Sequence, residues 1–190
     1  MKRRQFIQKS TAATVLAGVG GLGLQSFGSS KTKTLVDAIR KENPNTLLLD
    51  AGDIFQGTPY FNYYGGELEF KLMSMLKYDV ATIGNHDFDN GIDGLYAQIP
   101  HAKFDFVSAN YDFSNTVMDT HVKPYKIIVK DGIKIGIFGL GIKLDGLVDK
   151  NMYKETVYLD PIEKAQDMSR LLKEEQKCDL VICLSHIGYD

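Results

Sequence analysis

Hydrophobic and polar positions alternate along the chain in two rhythms, one helical and one extended. Leu35, Ala38 and Ile39 recur at helical spacing and predict a short helix over residues 35–42, stopped by Asn43-Pro44. The polar stretch 29–34 before it reads as a linker. The apolar run 46–49 predicts a strand that stops at Asp50-Ala51-Gly52-Asp53, and a Gly-, Pro- and Tyr-rich loop follows to residue 66. Residues 67–76 form an amphipathic helical pattern. A second apolar strand over 80–83 ends at Gly84-Asn85-His86-Asp87. A short helix over 92–99, closed by Pro100, and a strand over 104–109 come next. The segments 125–129 and 133–140 are strands around Asp131-Gly132, a dipeptide that favours a type I′ hairpin turn. Asp160-Pro161-Ile162-Glu163 has the form of a capping box with proline at the first helical position, and predicts a helix to about residue 177. Residues 180–184 read as a buried strand ending at Ser185-His186. No internal repeat is visible.

Alternating helices and strands predict an α/β fold. In open α/β sheets, ligands bind beyond the carboxyl ends of the strands. Three apolar strands here end in Asp53, Asn85-His86 and His186, so these side chains are expected at one sheet edge. Gly52 lets the chain turn sharply and present the Asp53 carboxylate, a hard ligand able to bridge two ions. Taken alone, Gly-Asp is a weak signal, and Asp53 reads more readily as a turn aspartate capping the loop. In Gly84-Asn85-His86-Asp87-Phe88-Asp89, the Asn85 amide oxygen can ligate a metal. His86 can protonate a leaving oxygen, oriented by Asp89 three residues on. The same residues could also be a polar turn. His186 is either a metal ligand or an edge histidine satisfied by its neighbours. His101 and His121 are expected in surface loops without partners.

The N-terminus has a different composition. Lys2-Arg3-Arg4-Gln5-Phe6-Ile7-Gln8-Lys9 precedes an uncharged, glycine-containing apolar run over 11–24. This is the layout of an export signal, and the arginine pair resembles a twin-arginine signal. Cleavage is expected after Gly28, leaving 29–190 as the mature domain. The apolar run is too short and glycine-rich for a stable membrane anchor. The chain of 190 residues carries a net charge of −2, and losing residues 1–28 takes away four basic residues and no acid. An acidic mature chain argues against nucleic-acid binding. Cys178 and Cys183 lie five residues apart, which in a strand spans ~16 Å and puts them on opposite faces. Both are expected to be buried free thiols.

Asp50-Ala51-Gly52-Asp53 with Phe55-Gln56-Gly57-Thr58, then Gly84-Asn85-His86-Asp87-Phe88-Asp89, then Leu184-Ser185-His186-Ile187-Gly188 occur in an order that resembles the exported 5′-nucleotidase / UDP-sugar hydrolase family. That family is a branch of the calcineurin-like metallophosphoesterases. The resemblance spans about residues 35–190 and implies an α-β-β-α sandwich, here truncated. It also implies periplasmic or otherwise exported hydrolysis of nucleotides or other phosphate esters, with the twin-arginine machinery as an export partner. Asp53 would bridge two divalent ions. Asn85 and His186 would ligate the second of them, with Asn85 also near the phosphate. His86, paired with Asp89, would stabilise or protonate the phosphoryl transition state. Two such ions activate a water and neutralise phosphoryl charge.

The family also has a first strand ending in Asp-x-His and a later Gly-His-x-His motif. Neither is found in this sequence, in which Val36 to Arg40 looks like the end of the family's first helix. The expectation is therefore one weakly held ion (Mn, Zn, Mg or Co), little turnover by this chain, and a new sheet edge. Two alternatives accompany it. One is an inactive fragment or one-metal binding module. The other is 2′,3′-cyclic-nucleotide phosphodiester or thiosulfate-ester hydrolysis on the same domain.

Overall fold

Short parallel strands with helices between them form one half of the structure, and a longer-stranded sheet forms the other. The computed structural model describes residues 29–55 and 59–188. The export-signal reading over 1–28 and the Gln56-Gly57-Thr58 piece of the family-like motif lie outside the described residues. In the first sheet, β1 (Leu49–Asp50), β2 (Val80–Ala81), β3 (Asp105–Val107) and β5 (Val122–Lys123) run parallel in that order. In the second, β6 (Tyr125–Lys130) and β7 (Ile133–Gly141) form an antiparallel hairpin, and β9 (Leu180–His186) lies parallel on the other side of β7. A small antiparallel pair joins β4 (Tyr111–Asp112) and β8 (Val157–Tyr158).

Three apolar layers separate the elements. Between the sheets, Val80 and Val107 meet Ile135, Ile137 and Leu184. The outer face of the first sheet packs Ala81 and Phe106 against α3 (Glu67–Met75) and α4 (Gly91–Gln98) through Phe70, Met73, Ile92 and Leu95. The outer face of the second sheet packs Phe138 and Leu140 against Leu172, Ala165 and Met168, the last two on α6 (Pro161–Arg170). The result is the expected α-β-β-α sandwich.

The sheets are stitched at one end. A Cβ on Gly139 would lie 2.1 Å from Thr82 Oγ1 and 2.3 Å from the Val107 carbonyl oxygen, so only glycine fits. The Ala109 N–H donates to the Gly139 carbonyl at 2.8 Å. The Asn110 side chain exchanges two hydrogen bonds with the backbone of Gly141, both 2.8 Å, in the manner of a neighbouring strand.

Both sheets receive a strand through the same device. Lys77 and Lys177 end their helical segments with left-handed backbone, φ 58° and 54°. Two residues later an aspartate precedes the strand. Asp79 accepts from the Leu48 N–H and donates its own N–H to the Leu48 carbonyl, both at 2.8 Å. Asp179 accepts from the Lys134 N–H at 3.0 Å and donates its own N–H to the Lys134 carbonyl at 2.8 Å. Each pair fixes the register of a parallel strand.

Several expectations need correction. The stretch 29–34 is not a linker, because α1 runs Ser29–Glu42. No glycine or proline interrupts it, and an exposed Lys33–Asp37 ion pair supports its polar first half. Arg40 docks this helix by donating to the carbonyls of Leu76 and Lys77 at 2.5 and 2.6 Å. The loop expected up to residue 66 contains a one-turn-plus helix, α2 (Pro59–Tyr64), whose Phe61 stacks on Phe55. A further short helix, α5 (Lys150–Tyr153), was not expected from the pattern. Pro100 does not close α4 but sits inside a 3₁₀ turn, Ile99–His101. The type I′ hairpin is present, with positive φ at Asp131 and Gly132. Asp160 caps α6 by accepting from the N–H groups of Ile162 and Glu163, and the helix widens into a π turn, Leu171–Glu175. Cys178 is buried, but Cys183 is exposed. It pairs with Phe138 of β7, and one of the two thiols meets solvent. His121 has a partner after all: Tyr96 meets its ring edge-on. The His101 carbonyl accepts from Ser74 Oγ.

Candidate metal centre

The first sheet supplies two loops to the site and the second sheet supplies one strand end. After β1 the chain turns through Gly52 and Asp53, both left-handed, at φ 96° and 61°. Such backbone is ordinary for glycine and tolerated by aspartate. After β2, Gly84 leads into the 3₁₀ turn His86–Phe88. His186 is the last residue of β9 and pairs with Gly141 of β7.

His186 Nε2 lies 3.2 Å from Asp53 Oδ2 and 3.2 Å from Asn85 Oδ1. Its other nitrogen, Nδ1, lies 2.8 Å from the Ala51 carbonyl. A carbonyl only accepts, so Nδ1 carries a proton. In the neutral imidazole, Nε2 then holds a lone pair directed at two oxygen acceptors. Lone pairs of Nε2 and the Asp53 carboxylate facing one another call for a proton or a cation between them. A proton on Nε2 meets the need in the metal-free protein, and a divalent ion meets it otherwise. The hydrogen bond with Asp53 accordingly holds the His186 pKa above its usual value, against the effect of burial. Burial pushes the Asp53 carboxyl up, but hydrogen bonds from His186 and the His86 N–H outweigh it and bring the carboxyl below its usual value. Asp50, behind the turn, is pushed up to about 6 by burial, with the Gly52 N–H pulling the other way.

The donor group closes directly over Gly84, where no side chain fits. A Cβ there would lie 2.3 Å from Asp53 Oδ1 and 2.8 Å from His186 Nε2. Among the described residues no group of three His, Cys, Asp or Glu side chains gathers as a metal cluster. The third donor here is an amide oxygen, that of Asn85. One imidazole, one carboxylate and one amide oxygen suit a single divalent ion of the Mn, Zn, Co or Mg type.

His86 stands beside this group. Its N–H donates to Asp53 Oδ1 at 2.9 Å, and its Nδ1 lies 3.0 Å from Asp89 Oδ2. Both side chains are exposed, so the imidazole is oriented yet open to a ligand. The structure therefore places Asp53, Asn85, His86, Asp89 and His186 together, and leaves His101 and His121 elsewhere. Sequence reasoning missed Asp87. It is buried and accepts from the N–H groups of Ile54, Phe55, Asp53 and Gly84, at 2.8 to 3.2 Å. Burial pushes its carboxyl up to about 7, opposed by the Gly84 N–H. The one signal was a second carboxylate inside the Asn-His turn.

Comparison with known proteins agrees with this geometry. A 5′-nucleotidase of Vibrio cholerae is 34% identical over 168 residues, covering 86% of this chain and 30% of its own length. The trifunctional nucleotide phosphoesterase YfkN of Bacillus subtilis is 31% identical, over 85% of this chain and 13% of its own. The crystal structure of a 5′-nucleotidase precursor from Thermus thermophilus superposes with a TM-score of 0.79 at 35% identity, over 85% of this chain and 32% of its own. The chain thus spans about a third or less of the length of these relatives. Residues 24–190 match the calcineurin-like phosphoesterase family, whose relatives here are nucleotidases and phosphoesterases. The chain belongs to the calcineurin-like phosphoesterase family of hydrolases.

Proposed function

We propose that this chain carries part of a metal-dependent site for hydrolysing phosphate esters of nucleotides. Asp53, Asn85 and His186 hold one divalent cation, and His86 with Asp89 acts on the phosphoryl group. The observation that carries the reading is the convergence of the Asp53 and Asn85 oxygens on His186 Nε2, with the oriented His86 beside them. A cation bound there supplies Lewis-acid polarisation of a phosphoryl oxygen. The Ala51 carbonyl keeps the proton on His186 Nδ1, so Nε2 stays available as a ligand. Asp89 accepts from His86 Nδ1 and aims Nε2 outward. A proton held at His86 Nε2 can then stabilise charge on the phosphoryl group or pass to the leaving oxygen.

Nucleotide esters are the favoured substrates because relatives above 30% identity are named nucleotidases. The basic and apolar pattern of residues 1–28 supports export through the twin-arginine route. Among the described residues, no helix is long and apolar enough to cross a membrane. A second reading, an ion-holding module without turnover, is favoured by the single three-donor group among the described residues.

The deciding experiment follows Mn²⁺ binding and phosphate release from AMP by the chain, with chelator and with Asp53→Ala as controls. The expected result is Mn²⁺ binding that Asp53→Ala abolishes, with slow release of phosphate that chelator stops. Binding without any release favours the second reading. No Mn²⁺ binding by the wild-type chain overturns both.

A further inference from the structure

Asp87 is 1% exposed, and its carboxylate meets four backbone N–H groups from two loops. Oδ1 accepts from Ile54 at 2.8 Å and from Phe55 at 3.2 Å. Oδ2 accepts from Asp53 at 3.1 Å and from Gly84 at 2.8 Å. The exchange is reciprocal, because Asp53 Oδ1 accepts the N–H of His86 at 2.9 Å. Each loop therefore holds the carboxylate of the other. Asp89, two residues on, points outward to His86, so the two carboxylates of one short turn face opposite ways.

We infer that Asp87 is a positioning residue, a buried clamp that fixes the Asp53 carboxylate where it can share a cation with Asn85 and His186. This rests on the reading of Asp53 as a ligand. The physical basis is that a left-handed aspartate costs conformational energy and persists when its surroundings over-determine it. Asp87 supplies that determination at Asp53 itself and at the two residues after it. It also ties the same turn to Gly84, over which the donor group closes. A carboxylate can accept from all four donors. An asparagine cannot, since its NH₂ group would face two N–H groups.

The test compares wild-type chain with Asp87→Asn, Asp87→Glu and Leu172→Ala. Titration with Mn²⁺ alone reads affinity, Co²⁺ visible absorption reads ligand geometry, and amide exchange of residues 53–55 and 84 in the metal-free protein reads the clamp. In wild type these amides should exchange slowly for loop positions. In Asp87→Asn they should exchange fast, the Co²⁺ spectrum should change, and Mn²⁺ affinity should fall about 10- to 100-fold, as for loss of a group that orients a ligand. Asp87→Glu keeps both acceptor oxygens and should regain most of the affinity. Leu172→Ala, a truncation in the layer outside the second sheet, should lower Tm and leave affinity and spectrum unchanged.

A folded Asp87→Asn with wild-type affinity and exchange overturns the inference alone. So does fast exchange of the four amides in wild type. If Asp87→Asn does not fold, Asp87→Glu decides: affinity and amide protection that move independently overturn the inference, and joint retention supports it. Absence of Mn²⁺ binding by the wild-type chain overturns the metal reading and this inference with it.

Discussion

The two sheets receive their strands alike and release them differently. At the entry, Lys77–Asp79 and Lys177–Asp179 repeat one arrangement of left-handed lysine and register-setting aspartate. At the exit, the first sheet hands its two-residue strands β1 and β2 to polar turns, where side chains bond backbone. The second sheet carries β9 through a seven-pair ladder on β7 and presents His186 at its end. Entry geometry thus serves register, while the exits carry the residues of the proposed site. In the first sheet the exit geometry is enforced by the buried Asp87 carboxylate and in the second by the ladder itself.

Gly84→Ala probes the exit most severely. Its Cβ would press on Asp53 and on the His186 ring. Mn²⁺ binding should be lost, and overpacking should cost about 1–3 kcal/mol in denaturant unfolding. Unchanged Mn²⁺ affinity would break the comparison. Asp79→Ala and Asp179→Ala probe the entries. Each should cost about 1–2 kcal/mol through a strand N–H left without its acceptor, and neither should weaken Mn²⁺ binding. A weaker ion in either variant would mean that entry and exit are not separable.

The smallest effect concerns pH. His186 has its folded-state pKa raised, chiefly by the hydrogen bond with Asp53. Its contribution to the metal-free protein is therefore fully present below the unfolded value near 6.5, and is lost as pH rises through the raised folded value. Tm of the metal-free chain should decline gently from pH 6.5 upward, and His186→Asn should reduce that slope to the part that the raised Asp87 carboxyl contributes. Mn²⁺ affinity should rise over the same window, since the ion displaces the Nε2 proton.

Much of this arrangement was legible from the residues. The apolar runs before Asp53, Asn85 and His186 marked the strand ends, and the rule for α/β sheets brought those ends to one edge. Asp131-Gly132 and Asp160-Pro161 announced their turn and cap because their signals are local. What escaped had tertiary causes. The helix over 29–34 has no apolar face there and depends on an ion pair within it and on Arg40 docking farther along. Phe61 gives the Tyr-rich α2 its footing through Phe55, a contact invisible to periodicity. The clamp at Asp87 draws three of its four donors from residues more than thirty positions away. Cys183 looked buried because it lies in an apolar run, yet an apolar run does not say whether both faces of its strand are covered, and this thiol is exposed.

The bond from His186 to the Ala51 carbonyl joins residues 135 positions apart, whereas the β6–β7 hairpin closes over Asp131-Gly132 alone. Loop-closure entropy grows with the logarithm of the span, so the hairpin can close early and the His186 contact is the costly, late one. In the unfolded ensemble the three donors are scattered, and an ion finds nothing to grip. A cation held at the proposed site would therefore bind the finished fold, as a latch, rather than nucleate it. At a free concentration a hundredfold above its dissociation constant, it would add about 2.7 kcal/mol to the native state.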